Sequence, residues 1–356
     1  MRRALSGIAA LVAVVALSAC GQDTANTTLQ RLSDAPRGNS AQACGGAAPF
    51  LTSAACADEN VTRLSGAMDG ALEKVQTALS RTGRQVLIDG QAQWLTGMRV
   101  TCMLNADDKE LSAEQSVCVQ LSMIDRMIAL PTSVGSAGPY LFQRVESFRA
   151  LPPPKSLTDK AALISAVSYP RIDNPDANGA AFNVAAFRAI RKDLPDDTEQ
   201  TIVYQIYLAD PKMISLEYDT LLATRGAAHQ DHGVETLTFL MQEKRPLAAT
   251  DLFPATDAWR KDFLALAGAK LKDAVIEQGC DAPLALEYAR DASLRADRWL
   301  ISAEGLSIVY PPYALGPYAM DGCKITMGWK ELAPMLRPEA PVPVTPAQKQ
   351  PPVAAG

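Results

Sequence analysis

The chain has 356 residues, with 34 Lys and Arg against 39 Asp and Glu and a net charge of −5 at pH 7. A mildly acidic surface argues against nucleic acid as partner, since that normally needs a basic patch, and it suits a basic protein partner. With only two histidines, the chain has little material for metal or triad chemistry.

Arg2 and Arg3 precede an apolar, uncharged stretch from Ala4 to Ala16, followed by Leu17-Ser18-Ala19-Cys20. The stretch is too short to span a bilayer and reads as a signal sequence over 1–19. Its last four residues resemble the lipobox of bacterial lipoproteins, which implies cleavage before Cys20 and acylation of that cysteine. Several acyl chains, at roughly 0.8 kcal/mol per buried CH₂, make a stable anchor. Gly21 rather than Asp after the cysteine favours the outer membrane by the same resemblance. Without residues 1–19 the chain keeps 32 bases against 39 acids, a net charge of −7. No other stretch is long and apolar enough to cross a membrane.

Assigning Cys20 to lipid leaves Cys44, Cys56, Cys102, Cys118, Cys280 and Cys323, an even set suited to disulfides in an oxidising compartment. The spacings are not those of a zinc site. Four cysteines before residue 120 and two after 279 suggest two bridges in one unit and one in another.

Residues 20–43 are polar and read as a flexible tether. Over 44–130 the pattern is helical. Val61, Leu64, Met68, Leu72, Val75 and Leu79 form one apolar stripe, and Leu87, Gln91, Trp94, Met98 and Cys102 a second. Val117, Leu121, Ile124 and Ile128 form a third. With Gly83 separating the first helix from the second, the expected unit is an all-α, three-helix, disulfide-bonded bundle. A core that small is marginal without cross-links. A Cys102–Cys118 bridge with Cys44–Cys56 as companion fits, although four cysteines allow three pairings.

The order Cys44, Cys56, Gln91-x-x-Trp94, Cys102, Cys118 and Arg126 resembles the N-terminal domain of LprI-type lysozyme inhibitors. That family places an arginine four residues after the Trp; here Met98 holds the position and Arg99 follows it. Trp94 also has a plainer reading as a core residue.

Pro131 and Pro152-Pro153-Pro154 bracket a segment, 131–160, that reads as a linker. From 161 to 337 the periods mix. Ile214, Leu216 and Tyr218 alternate with polar residues, as do Leu237, Phe239 and Met241, then Leu306, Ile308 and Tyr310, then Cys323, Ile325 and Met327. These predict strands with one buried face. Helical steps occur at Phe187, Ile190 and Leu194, and from Trp259 through Phe263, Ala267 and Leu271 to Val275. The expected fold is α+β with an antiparallel sheet, Cys280 and Cys323 stapling it. The Pro-rich end, 338–356, reads as a disordered tail.

This second unit resembles the RsiV extracellular domain family. The resemblance is carried by Tyr169-Pro170, Phe182-Asn183, Gly226-Ala227-Ala228-His229, Thr250-Asp251-Leu252-Phe253 and the run from Trp299 to Leu332. Ala227 replaces a glycine more usual in the family.

Signals for an enzyme are thin. His229-x-x-His232 lacks the intervening Glu of a zinc-protease helix, no G-x-S-x-G elbow or phosphate-binding glycine loop is present, and no pair of carboxylates stands out. No catalytic residue, metal or cofactor is therefore expected. The segment from Tyr310 to Tyr318 is the candidate contact surface, through Pro312, Tyr313, Pro317 and Tyr318, a rigid amphipathic patch. The alternative is a turn whose tyrosines pack inward. Both resemblances imply lysozyme binding. The expectation is a lipid-anchored periplasmic protein whose partner is a lysozyme-like muramidase, against an envelope or peptidoglycan-associated scaffold without that affinity. A cell-wall hydrolase stands lowest.

Overall fold

The computed structural model describes residues 41–46, 49–151, 161–190, 197–278, 286–311, 314–315 and 322–342. The first of these are already part of a core: Ala41 and Ala43 are buried, and Leu51 donates its N–H to the Ala43 carbonyl at 2.9 Å. The tether expected over 20–43 therefore does not extend through its last residues.

Helix α1 (Ser53–Ala57) leads into α2 (Glu59–Thr77), α3 (Arg81–Thr101) and α4 (Ala113–Ala129). Each of the last three begins at a side-chain cap, respectively Asp58, Ser80 and Ser112. The first two apolar stripes lie inward as expected: Val61, Met68, Leu72, Leu87, Gln91 and Met98 are buried. Gly83 does not break a helix. The break falls at Ala78–Ser80, and Gly83 sits in the first turn of α3, where its N–H donates to the Ser80 hydroxyl at 3.0 Å.

The segment read as a linker builds the start of a sheet. Pro131 lies in a short 3-10 turn, then β1 (Val134–Ala137) and β2 (Tyr140–Leu151) form a hairpin. Their alternation is hard to read because Gln143 and Arg144 are buried polar residues with partners elsewhere in the fold. The sheet continues through β3 (Leu163–Ile172), β4 (Thr198–Ala209), β5 (Met213–Thr224), β6 (Asp231–Leu240) and β7 (Arg245–Pro246). Among the described residues it has seven strands in sequence order. All pairs are antiparallel except β3 and β4, which run parallel with α5 (Ala177–Ala189) between them. Asn183 of α5 clamps the end of β3, accepting from the Ile172 N–H at 2.7 Å and donating to the Ile172 carbonyl at 3.0 Å. Phe182 and Ala186 fill the core on that face.

After α6 (Ala249–Leu252), α7 (Ala258–Gln278) and α8 (Leu286–Ser293), a second sheet forms from β8 (Trp299–Ile301), β9 (Gly305–Tyr310) and β10 (Cys323–Gly328), and α9 (Trp329–Leu332) follows. The fold is α+β with a large, mostly antiparallel sheet. The small sheet covers the second face of β5, so residues 213–218 are buried on both sides. The half-buried strand read from alternation is thus a central one. Its polar residues join the layers: Ser215 accepts from the Ile301 N–H at 2.8 Å, and Glu217 pairs with Lys324 at 2.6 Å. Phe253, stacked on Trp259 with centroids 4.2 Å apart, meets Phe263 and Trp299 edge-on in the largest apolar cluster. Residues 338–342, expected as tail, run along that cluster, with Ala340 and Val342 partly buried.

The helices do not form a free-standing bundle, because α3 lies against β2. Strand β1 pairs with β2 only over residues 140–143, and among the described residues the rest of that edge has no strand partner. Gly83, Gly90 and Gly97, spaced by seven, present one bare face of α3 to this region. A Cβ on Gly90 would come within 3.2 Å of the Glu146 carbonyl oxygen, and one on Gly97 would overlap the Phe148 ring. The helix thereby covers an edge that would otherwise invite another strand.

Candidate partner-binding face

Helix α4 is fastened on three sides. Ser112 and Gln115 form a reciprocal capping box, and Gln115 also donates to the Met103 carbonyl at 2.8 Å. Ser116 donates to Asp58 at 2.7 Å, and this bond, ahead of the α2 backbone N–H groups, holds the Asp58 carboxyl below its usual range. Cys102 and Cys118 form a disulfide, as do Cys44 and Cys56.

The inner face of α4 carries Val119, Met123 and Arg126. Arg126 donates through Nε to the Gln91 side chain at 2.8 Å, lies over the Trp94 ring at 5.6 Å and pairs with Glu146 of β2, which also binds Arg144 at 3.0 Å. Burial alone would raise the Glu146 carboxyl, but the two guanidinium groups outweigh it and hold it low. Gln91, Trp94 and Arg126, which carried the first resemblance, thus meet in one cluster. Its place is the interior, joining helices to sheet. Arg99, the displaced arginine, donates to the Phe50 carbonyl at 3.1 Å.

With that face inside, the stripe expected to be buried points outward. Val117 is 55% exposed, Leu121 57%, Ile124 38% and Ile128 70%. Glu114, three residues before Val117, and Asp125, four after Leu121, follow one side of the stripe, and both are exposed. The preceding loop adds exposed Asp107 and Glu110 beside exposed Met103. The result is an apolar strip with an acidic border on a rigid helix. It can bind, and it offers no chemistry.

Other expected sites fare differently. Tyr310 packs inward: it is buried, its hydroxyl shares a hydrogen bond with Ser293 at 2.6 Å, and burial pushes its phenol up to about 12. Pro312, Tyr313, Pro317 and Tyr318 lie outside the described residues, as do Cys20 and Cys280. Cys323 is disulfide-bonded. His229 lies in the turn between β5 and β6 and His232 in β6, so the pair does not share a helix face. Among the described residues no group of three or more candidate ligands is placed to hold a metal. A recess among Thr132, Phe142, Arg144, Tyr204 and Ile206 has room for about one water. No helix among the described residues is long and apolar enough to cross a membrane.

No family model and no curated protein matches the chain. Among solved structures it is similar to a DUF3298-family protein from Bacteroides fragilis, at 14% identity and a TM-score of 0.45, over 58% of this chain and 96% of that one. It is also similar to a DUF3298-family protein from Pseudomonas aeruginosa, at 15% identity and a TM-score of 0.40, over 58% of this chain and 98% of the other.

Proposed function

We propose that the protein is anchored to the outer membrane by lipid on Cys20, faces the periplasm, and binds lysozyme-like muramidases so as to block their action on peptidoglycan. The observation that carries this reading is that Arg126 of α4 meets Gln91 and Trp94, which lie three residues apart on α3, in one cluster between helices and sheet. These are the residues on which the resemblance to LprI-type inhibitors rests. The ordered landmarks of the RsiV-like unit point to the same ligand from a separate part of the chain. Inhibition needs no catalysis, since a surface that occludes the enzyme's cleft suffices. An interface of about 800 Å² per partner is ordinary for such a complex, and net negative charge steers a basic enzyme towards it.

The test is calorimetry of residues 21–356, disulfides intact, against c-, g- and i-type lysozymes, with lysis followed in parallel. Micromolar or tighter binding with loss of lysis is expected. No binding to any of the three would overturn the proposal and leave an envelope scaffold. Incorporation of labelled palmitate into the full chain, and its loss in Cys20→Ala, tests the anchor.

A further inference from the structure

We propose that the muramidase docks on the outward face of α4, through Val117, Leu121, Ile124 and Ile128 with Glu114 and Asp125 beside them; this inference rests on the function proposed above. A helix exposing four large apolar side chains at steps of 4, 3 and 4 loses free energy to water unless something covers it. Helix α4 is also held rigid by its capping box, the Cys102–Cys118 bridge and the Arg126–Glu146 pair, so little order has to be imposed on docking.

Charge selects the occupant. Residues 102–130 hold Asp107, Asp108, Glu110, Glu114 and Asp125 against Lys109 and Arg126, and Arg126 is turned inward onto Glu146. A cationic protein with an apolar contact finds both complements here. A second copy of this chain would bring the same acidic border against itself. Four side chains also fall short of the roughly 800 Å² per partner that a stable complex buries, so the partner must reach past the stripe, as a large enzyme can.

The experiment compares the wild type with Leu121→Asp/Ile128→Asp, whose exposed positions leave the core untouched, in lysozyme binding by calorimetry. The variant is expected to bind at least about tenfold more weakly, the effect of removing a central apolar anchor. Glu114→Lys/Asp125→Lys is expected to slow association and flatten its salt dependence. Hydrogen exchange on the unmutated complex should show the α4 amides protected. If the wild type binds and both variants bind equally well with α4 unprotected, the docking face is wrong and the function stands. If the wild type does not bind, both fall. Sedimentation showing a wild-type dimer that the Leu121→Asp/Ile128→Asp variant disperses would overturn the proposal in favour of a second copy.

Discussion

Ser80 donates both its backbone N–H and its hydroxyl to the carboxylate of Asp173, each at 2.6 Å, across 93 residues of sequence. Asp173 follows β3 and also accepts from Arg171 at 3.0 Å, while the Ser80 hydroxyl accepts from Gly83. One carboxylate thus fixes the start of α3 against the sheet, at the positive end of the helix.

Burial alone would raise the Asp173 carboxyl, but the bonds from Ser80 and Arg171 outweigh it and the net direction is down. A carboxyl held lower in the folded state stabilises it above the unfolded value, about pH 4, and that stability is lost as pH falls through the folded value. Wild-type stability should therefore drop below about pH 4, with Glu146 contributing in the same sense. Asp173→Ala should cost about 2–3 kcal/mol in urea unfolding at pH 7, and its acid-dependent loss should be smaller than the wild type's.

The glycine face of α3 predicts a reversal of sign. Gly→Ala within a helix normally gains up to about 1 kcal/mol. Gly70, on α2 with nothing within 4 Å of its Cβ position, should show that gain. Gly97→Ala should instead lose about 1–2 kcal/mol, because the methyl meets the Phe148 ring and the helix must lift from the strand. Thermal melts of the two variants would decide it; equal shifts would mean α3 does not seat on β2.

Arg126 and Glu146 are expected to fail asymmetrically. Glu146→Gln takes the carboxylate from two buried guanidinium groups and should cost about 3–5 kcal/mol. Arg126→Met leaves Glu146 paired with Arg144 at 3.0 Å and should cost less, and adding it to the Glu146 variant should recover part of that variant's loss. Trp94 fluorescence reports the loss of the cation over its ring. A double variant no better than Glu146→Gln alone would show that the pair does not act as a unit.

Asp69 is a stability cost built into α2. Burial raises its carboxyl to about 6, and its Oδ1 is buried without a hydrogen-bond partner. A carboxyl raised in the folded state stabilises it below the unfolded value, about pH 4, and that stability disappears as pH rises through about 6. Asp69→Asn should therefore raise the melting temperature at pH 7 and leave it almost unchanged at pH 4. The gain is on the order of 1 kcal/mol, since the residue is only partly buried and the solvent it keeps screens the charge.

Much of the fold is legible because helical and strand periods are local. The stripes from Val61 and from Leu87 lie inward as spacing predicts, and Leu216 and Ile308 are core. Legibility fails where a polar residue is buried with a distant partner. Gln143 donates to the Gly83 carbonyl 60 residues away and Glu217 meets Lys324, so β2 passes for linker and β5 for a surface strand. The glycine spacing 83, 90, 97 was a readable signal for a close helix seam. The outward turn of α4 had no such signal.

The sequence by itself determined that α4 is a helix, that Val117, Leu121, Ile124 and Ile128 share one face, and that one cysteine, Cys102, precedes it and another, Cys118, lies within it. Only the tertiary structure decided which face goes in. Val119 and Met123 made a second apolar strip interrupted by Arg126, and by composition the unbroken one belonged inside. Glu146, 20 residues on in another element, neutralises that arginine and makes its burial affordable. The cleaner stripe is left at the surface.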